Sequence, residues 1–84
     1  MGSRHQVMTL YLTNIARGYE SLGQWDKAME FYFRVIDVAL GGGGARSPEV
    51  CVALEDIAYC YIQRNVPKGG LMYFMRAFDI SFSL

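Results

Sequence analysis

The sequence predicts an all-α fold built from two antiparallel helical hairpins stacked on each other, and three observations predict it. Apolar residues recur at helical spacing along four stretches, glycine and proline clusters interrupt those stretches, and the chain matches itself when slid by 42 residues.

Over 6–22, Val7, Leu10, Tyr11, Ile15 and Leu22 fall at helical spacing, with Leu12, Ala16 and Tyr19 widening the apolar face. Gly23-Gln24 makes a short break. Over 25–40, Ala28, Phe31, Tyr32, Val35, Ile36 and Ala39 share a second face, and Asp26 stands early, where a carboxylate suits the positive end of the helix dipole. So short a connection makes these two helices antiparallel. Four consecutive glycines from Gly41 to Gly44 disfavour a helix by about 1 kcal/mol each relative to Ala, so a loop is expected over 41–47. Ser47-Pro48-Glu49 then reads as a helix start: Ser47 caps free N–H groups, Pro48 fits the first turn, and Glu49 favours the positive end. A third helix follows over about 48–64. Asn65-Val66-Pro67 ends it, because proline disfavours helical geometry in the residue before it. The fourth helix is expected over 67–84, with Gly69-Gly70 weakening its first turn.

The self-match superposes Leu12 on Leu54, Ile15 on Ile57, Ala16 on Ala58, Tyr19 on Tyr61, Arg34 on Arg76 and Asp37 on Asp79. Phe31 meets Tyr73, Tyr32 meets Phe74 and Asn14 meets Asp56. Residues 1–84 therefore read as one domain: a first unit at about 7–40, the glycine-rich loop 41–47 and a second unit at about 48–84. A period in this range signals a stacked helical solenoid.

Within each unit a large apolar residue is followed by an apolar-small pair, a Tyr, and later a small residue four before an aromatic. The first supplies Leu12, Ile15-Ala16, Tyr19, Ala28 and Tyr32, and the second Leu54, Ile57-Ala58, Tyr61, Gly70 and Phe74. This pattern resembles the tetratricopeptide repeat. Because the repeat is longer than the usual one and its loop ends in Ser47-Pro48-Glu49-Val50, it looks like the long-repeat subclass found in kinesin light chains. The resemblance covers about residues 7 to 84. It implies a right-handed α-solenoid fragment in which Ala16, Ala28, Ala58 and Gly70 are small because the helices of each hairpin cross closely there, with Tyr19 and Tyr61 filling the adjoining space. It also implies a protein-binding scaffold that takes a peptide or partner helix along the groove made by the first helix of each hairpin. The groove candidates are Thr13, Asn14, Arg17 and Glu20 in the first unit, and Glu55, Asp56, Tyr59, Ile62 and Gln63 in the second. Asn14 matches an asparagine that such families use to fix a peptide backbone, since one amide both donates and accepts. Glu55 and Asp56 would repel a terminal carboxylate, so a mixed or basic peptide is the expected partner.

Composition narrows the classes further. Of the 84 residues 52% are hydrophobic and 19% charged, too apolar for disorder and apolar enough to meet another chain. Eight basic and eight acidic residues cancel without forming a basic stripe, so neither nucleic acid nor an anionic membrane surface is an expected partner. Arg76 and Asp79 interrupt the most apolar stretch, so no membrane span is expected. Residues 1–6 carry no signal-peptide core and look like an appended start. Cys51 and Cys60 would lie about 13 Å apart along one helix, beyond the reach of a disulfide, and free buried thiols suit a reducing, cytoplasmic setting.

No enzyme is expected. His5 is the only histidine and has no acidic neighbour to set its tautomer, and Gly41 to Gly44 lacks the Lys-Ser/Thr pair of a phosphate loop. No metal or cofactor site is expected either. The alternative to a peptide-binding scaffold is a self-assembling module. Leu71, Met75, Phe78 and Phe82 are left over on the last helix once Gly70, Phe74 and Ala77 face the third, and a homo-oligomer formed by two-fold pairing or hairpin exchange would cover them.

Overall fold

The computed structural model describes residues 4–41 and 48–83, the side chains of His5 and of 81–83 excepted. It contains α1 (Arg4–Ser21), α2 (Trp25–Gly41), α3 (Pro48–Gln63) and α4 (Pro67–Ser83), with no strand among the described residues. Successive helices pack in chain order, α1 on α2, α2 on α3 and α3 on α4, while α1 also touches α3. The expected breaks fall where the residues require them, with two differences. Residues 4–6, expected as an appended start, form the first turn of α1, and α2 runs on through Gly41, the first residue expected in the loop. The rest of the expected loop, the Ser47 cap and the Phe82 side chain lie outside the described residues.

Both hairpin turns close in the same way. Gly23 and Asn65, 42 positions apart, take positive φ of 74° and 62°. The Gly23 and Gln24 amides donate to the carbonyls of Glu20 and Tyr19, each at 2.9 Å, and the Asn65 and Val66 amides donate to Ile62 and Tyr61 at 3.0 and 2.9 Å. This paired closure satisfies carbonyls that a helix end would otherwise leave without partners. Asparagine tolerates the left-handed region where most side chains do not, so the break at 65–67 belongs to Asn65 as much as to Pro67.

The same interval governs the packing inside each hairpin. Ala16, Ala28 and Ala58 are fully buried, and Gly70 is buried with them. A Cβ added at Gly70 would lie 2.7 Å from Ile62 Cγ1 and 3.1 Å from the Ala58 carbonyl oxygen, and one at Gly69 3.0 Å from the Tyr61 ring. Those glycines are therefore what lets α4 approach α3, rather than merely a weak start. Tyr19 stacks on Phe31 at 5.7 Å between ring centroids, and Tyr61 on Tyr73 at 5.4 Å. Arg34 and Arg76 lie over the second ring of each pair.

The core forms two clusters, one of Ala16, Ala28, Met29, Tyr32, Ile57 and Cys60, the other of Ala39, Val50, Cys51, Leu54 and Ala77, with Ile36 and Tyr73 packed against both. The central helices α2 and α3 supply most of it. On α1 and just after it the expected core residues Val7, Leu10, Tyr11, Ile15 and Leu22 are exposed instead, and among the described side chains of α1 only Thr9 and Ala16 are buried, with Leu12 and Tyr19 half-buried. An outer helix has neighbours on one side only, so a narrow stripe of its apolar face is covered. Phe74, expected against α3, is likewise exposed, in a depression that it lines together with Glu55 of α3.

The close crossings generate a paired prediction. Ala16→Leu and Ala58→Leu are each expected to cost about 1–3 kcal/mol by overpacking. Gly70→Ala should destabilise even though helix propensity alone favours Ala by about 1 kcal/mol, whereas Gly18→Ala, with nothing within 4 Å of the added Cβ, should stabilise. Urea denaturation of the four variants checks both signs.

Candidate protein-binding groove

The crossing of α1 over α2 and α3 leaves an open cleft of about 440 Å³. Thr13, Asn14 and Arg17 line it from α1, Tyr32 and Val35 from α2, and Glu49, Val52 and Asp56 from α3. Helical spacing explains the grouping: 13, 14 and 17 share one side of α1, and 49, 52 and 56 share one side of α3. Four of the nine groove candidates, Thr13, Asn14, Arg17 and Asp56, are thus brought together. The other five are placed elsewhere. Glu20 turns inward, where its carboxylate accepts the Tyr32 hydroxyl at 2.6 Å and lies 3.7 Å from Cys60 Sγ. Glu55 lines a second depression with Phe74, Met75 and Phe78, on the side of α3 that faces α4. Tyr59 packs edge-on against Trp25 at 6.1 Å while staying exposed, Ile62 meets Gly70, and Gln63 is the exposed last residue of α3.

Asp56 and Tyr32 line the cleft, and Tyr32 is bonded to Glu20, which in turn lies beside Cys60. Asp56 is pushed up to about 6 from an ordinary 3.8, first by burial and then by the negative charge of Glu20, with Arg17 opposing the shift. Its Oδ2 is buried and accepts no hydrogen bond. Tyr32 is raised by burial and by its bond to Glu20, and the Cys60 thiol is pushed up to about 12 by burial and the same carboxylate. Tyrosine and cysteine are neutral there, held as donors toward Glu20. The cleft therefore has an acidic floor relieved by one guanidinium, and it suits a ligand that donates hydrogen bonds or carries positive charge.

No family model, curated protein or solved structure matches the chain. The site accordingly rests on its own geometry.

Sequence reading missed the Glu20–Tyr32–Cys60 contact, although a signal was present. At the equivalent positions of the other unit stand Ile62 and Phe74, so the carboxylate and the hydroxyl are lost together, as expected of two groups that serve each other. It also missed Arg64–Asp26, 2.7 Å apart, which ties the end of α3 to the start of α2. Cys51 and Cys60 are buried and form no disulfide, and Cys51 donates to the Ala77 carbonyl on α4. No group of three His, Cys, Asp or Glu side chains converges as a metal site would require among the described residues, and no helix there is long and apolar enough to cross a membrane.

Asp56 makes stability pH-dependent with a definite sign. Its folded value lies above the unfolded one, so the folded state binds the proton more tightly, and the charged form is a penalty present in full above about pH 6. Stability at this site should rise as pH falls from 7 through 6 toward 4. Asp56→Asn should be more stable than the parent at pH 7.5, keep only part of that advantage at pH 5 and lose it below about pH 4, as read from urea midpoints at the three pH values. Both thiols should react with a soluble disulfide reagent only on unfolding.

Proposed function

We propose that the chain is a protein-binding scaffold piece and not an enzyme: two tetratricopeptide-type hairpins of a right-handed solenoid that hold an extended peptide or partner helix in the α1–α3 cleft. One observation carries the reading. Asn14, Arg17 and Asp56, which the repeat pattern places beside the packed stripe, line a single open cleft, and the buried Asp56 oxygen there accepts no hydrogen bond. The repetition of turn, crossing and aromatic stack at an interval of 42 residues supports the hairpin arrangement, and the length of that interval with the run Ser47-Pro48-Glu49-Val50 supports a likeness to the kinesin light chain subclass. Buried thiols that form no disulfide fit a reducing cytoplasm.

In this reading Asn14 pairs with a peptide backbone group, Arg17 and Asp56 set charge preference, and Val35 and Val52 supply the apolar wall. The acidic floor favours a segment bearing Lys or Arg. The self-assembling alternative draws on a different surface, the outer side of α4.

Selection of random peptides displayed on phage against the immobilised chain tests the groove. Enriched sequences should carry a basic residue, and Asn14→Ala with Asp56→Ala should weaken the best of them at least about tenfold, the loss of one neutral and one charge-assisted hydrogen bond. Enriched peptides whose affinity the double variant leaves unchanged would move the binding surface elsewhere.

A further inference from the structure

We infer that the chain assembles head to tail, with α1 of a second copy seated on the outer side of α4 in the way that α3 sits on α2 within one copy. The structure already contains one such seam. At the α2–α3 junction the second helix of the first unit meets the first helix of the second unit, through Met29 and Tyr32 on one side and Val50, Ile57 and Cys60 on the other. Both halves of that seam recur, 42 residues away, without a partner. Met29 is 6% exposed and its equivalent Leu71 63%; Tyr32 is 1% exposed and Phe74 40%; Ile57 is 0% exposed and Ile15 44%. Met8, equivalent to the buried Val50, is exposed too, and an added Cβ at Gly18, equivalent to the buried Cys60, would meet nothing within 4 Å. The two uncovered faces are thus the two sides of an interface that this chain is seen to make.

Chemistry at the second seam favours the same occupant. The internal junction has to accommodate Glu20, the Tyr32 hydroxyl, the Cys60 thiol and Asp56. Between copies those positions are filled by Ile62, Phe74, Gly18 and Asn14, so none of the four carries a carboxylate or a hydroxyl that requires a partner. A two-fold pairing of α4 with α4 would cover Leu71 and Phe74 and leave Met8 and Ile15 in water. Head-to-tail contact covers both faces, and because it is heterologous it does not close on itself, so assembly grows with concentration instead of stopping at a dimer.

The inference deepens the self-assembling alternative and is independent of peptide binding. Ile15 and Phe74 lie outside the α1–α3 cleft, so peptide affinity measured on variants at these positions reports on the groove separately.

Light scattering after size exclusion, across a wide dilution range, tests it with two variants. Phe74→Glu removes the α4 face and Ile15→Glu removes the α1 face; both side chains are exposed in the single chain, and circular dichroism verifies that each variant folds. Each alone should have the mass of one chain, and a mixture should give a heterodimer of twice that mass, because each variant retains the face that the other lacks. Leu71→Lys and Met8→Lys serve as a second pair should either glutamate variant unfold. A parent chain that keeps the mass of one chain at every concentration would overturn the inference. So would an Ile15→Glu variant that still dimerises while Phe74→Glu does not, which is the pattern of two-fold pairing, or association that persists in both variants.

Discussion

Two helices can bring their backbones together only where neither carries a large side chain at the crossing, and the rest of this fold depends on that constraint. Ala16 with Ala28 sets the first crossing and Ala58 with Gly70 the second. Once the axes are that close, the side chains one turn away have to fit a fixed gap. Tyr19 on Phe31 and Tyr61 on Tyr73 fill it as flat stacked pairs. The left-handed turns at Gly23 and Asn65 follow from the same need, since a tight reversal is what starts the returning helix within reach of the crossing.

The two units share this frame but differ in polarity, and the difference decides where chemistry is available. In the first unit Glu20 reaches Tyr32 and Cys60, and with Asp56 it forms a polar floor below the α1–α3 cleft. In the second unit Ile62 and Phe74 occupy the corresponding places, leaving an apolar end. A charged, partly solvated cleft selects ligands by hydrogen bonding, whereas an apolar helix face selects a complementary apolar face. One repeated hairpin therefore presents two surfaces of opposite character, the first proposed to hold a segment and the second a further copy of the chain.

Much of the fold was legible in the sequence because it depends on local signals. Glycine, asparagine and proline mark the turns at 23–24 and 65–67, and the likeness to the repeat pattern implies the crossings at Ala16, Ala28, Ala58 and Gly70. Which apolar residues are covered was less legible. Ile15 and Ile57 are the same residue in the same pattern, yet one is exposed and the other buried, because burial depends on whether a further helix lies alongside and the pattern carries no record of that. For the groove, helical spacing singled out Thr13, Asn14, Arg17 and Asp56, and these four line one cleft. It misplaced Glu55, which sits one turn-fraction around α3 and faces α4, and it read Glu20 as a surface group because its partner Tyr32 is on another helix.

The central claim is that one close-crossing hairpin is built twice, and nuclear Overhauser contacts in solution test it most directly. The account predicts strong cross-peaks from the Tyr61 ring to the Gly69 α-protons, with those protons shifted upfield by the ring, together with ring-to-ring cross-peaks for both Tyr19–Phe31 and Tyr61–Tyr73. Gly69 protons at unperturbed shifts, or cross-peaks in one hairpin with none in the other, would contradict it.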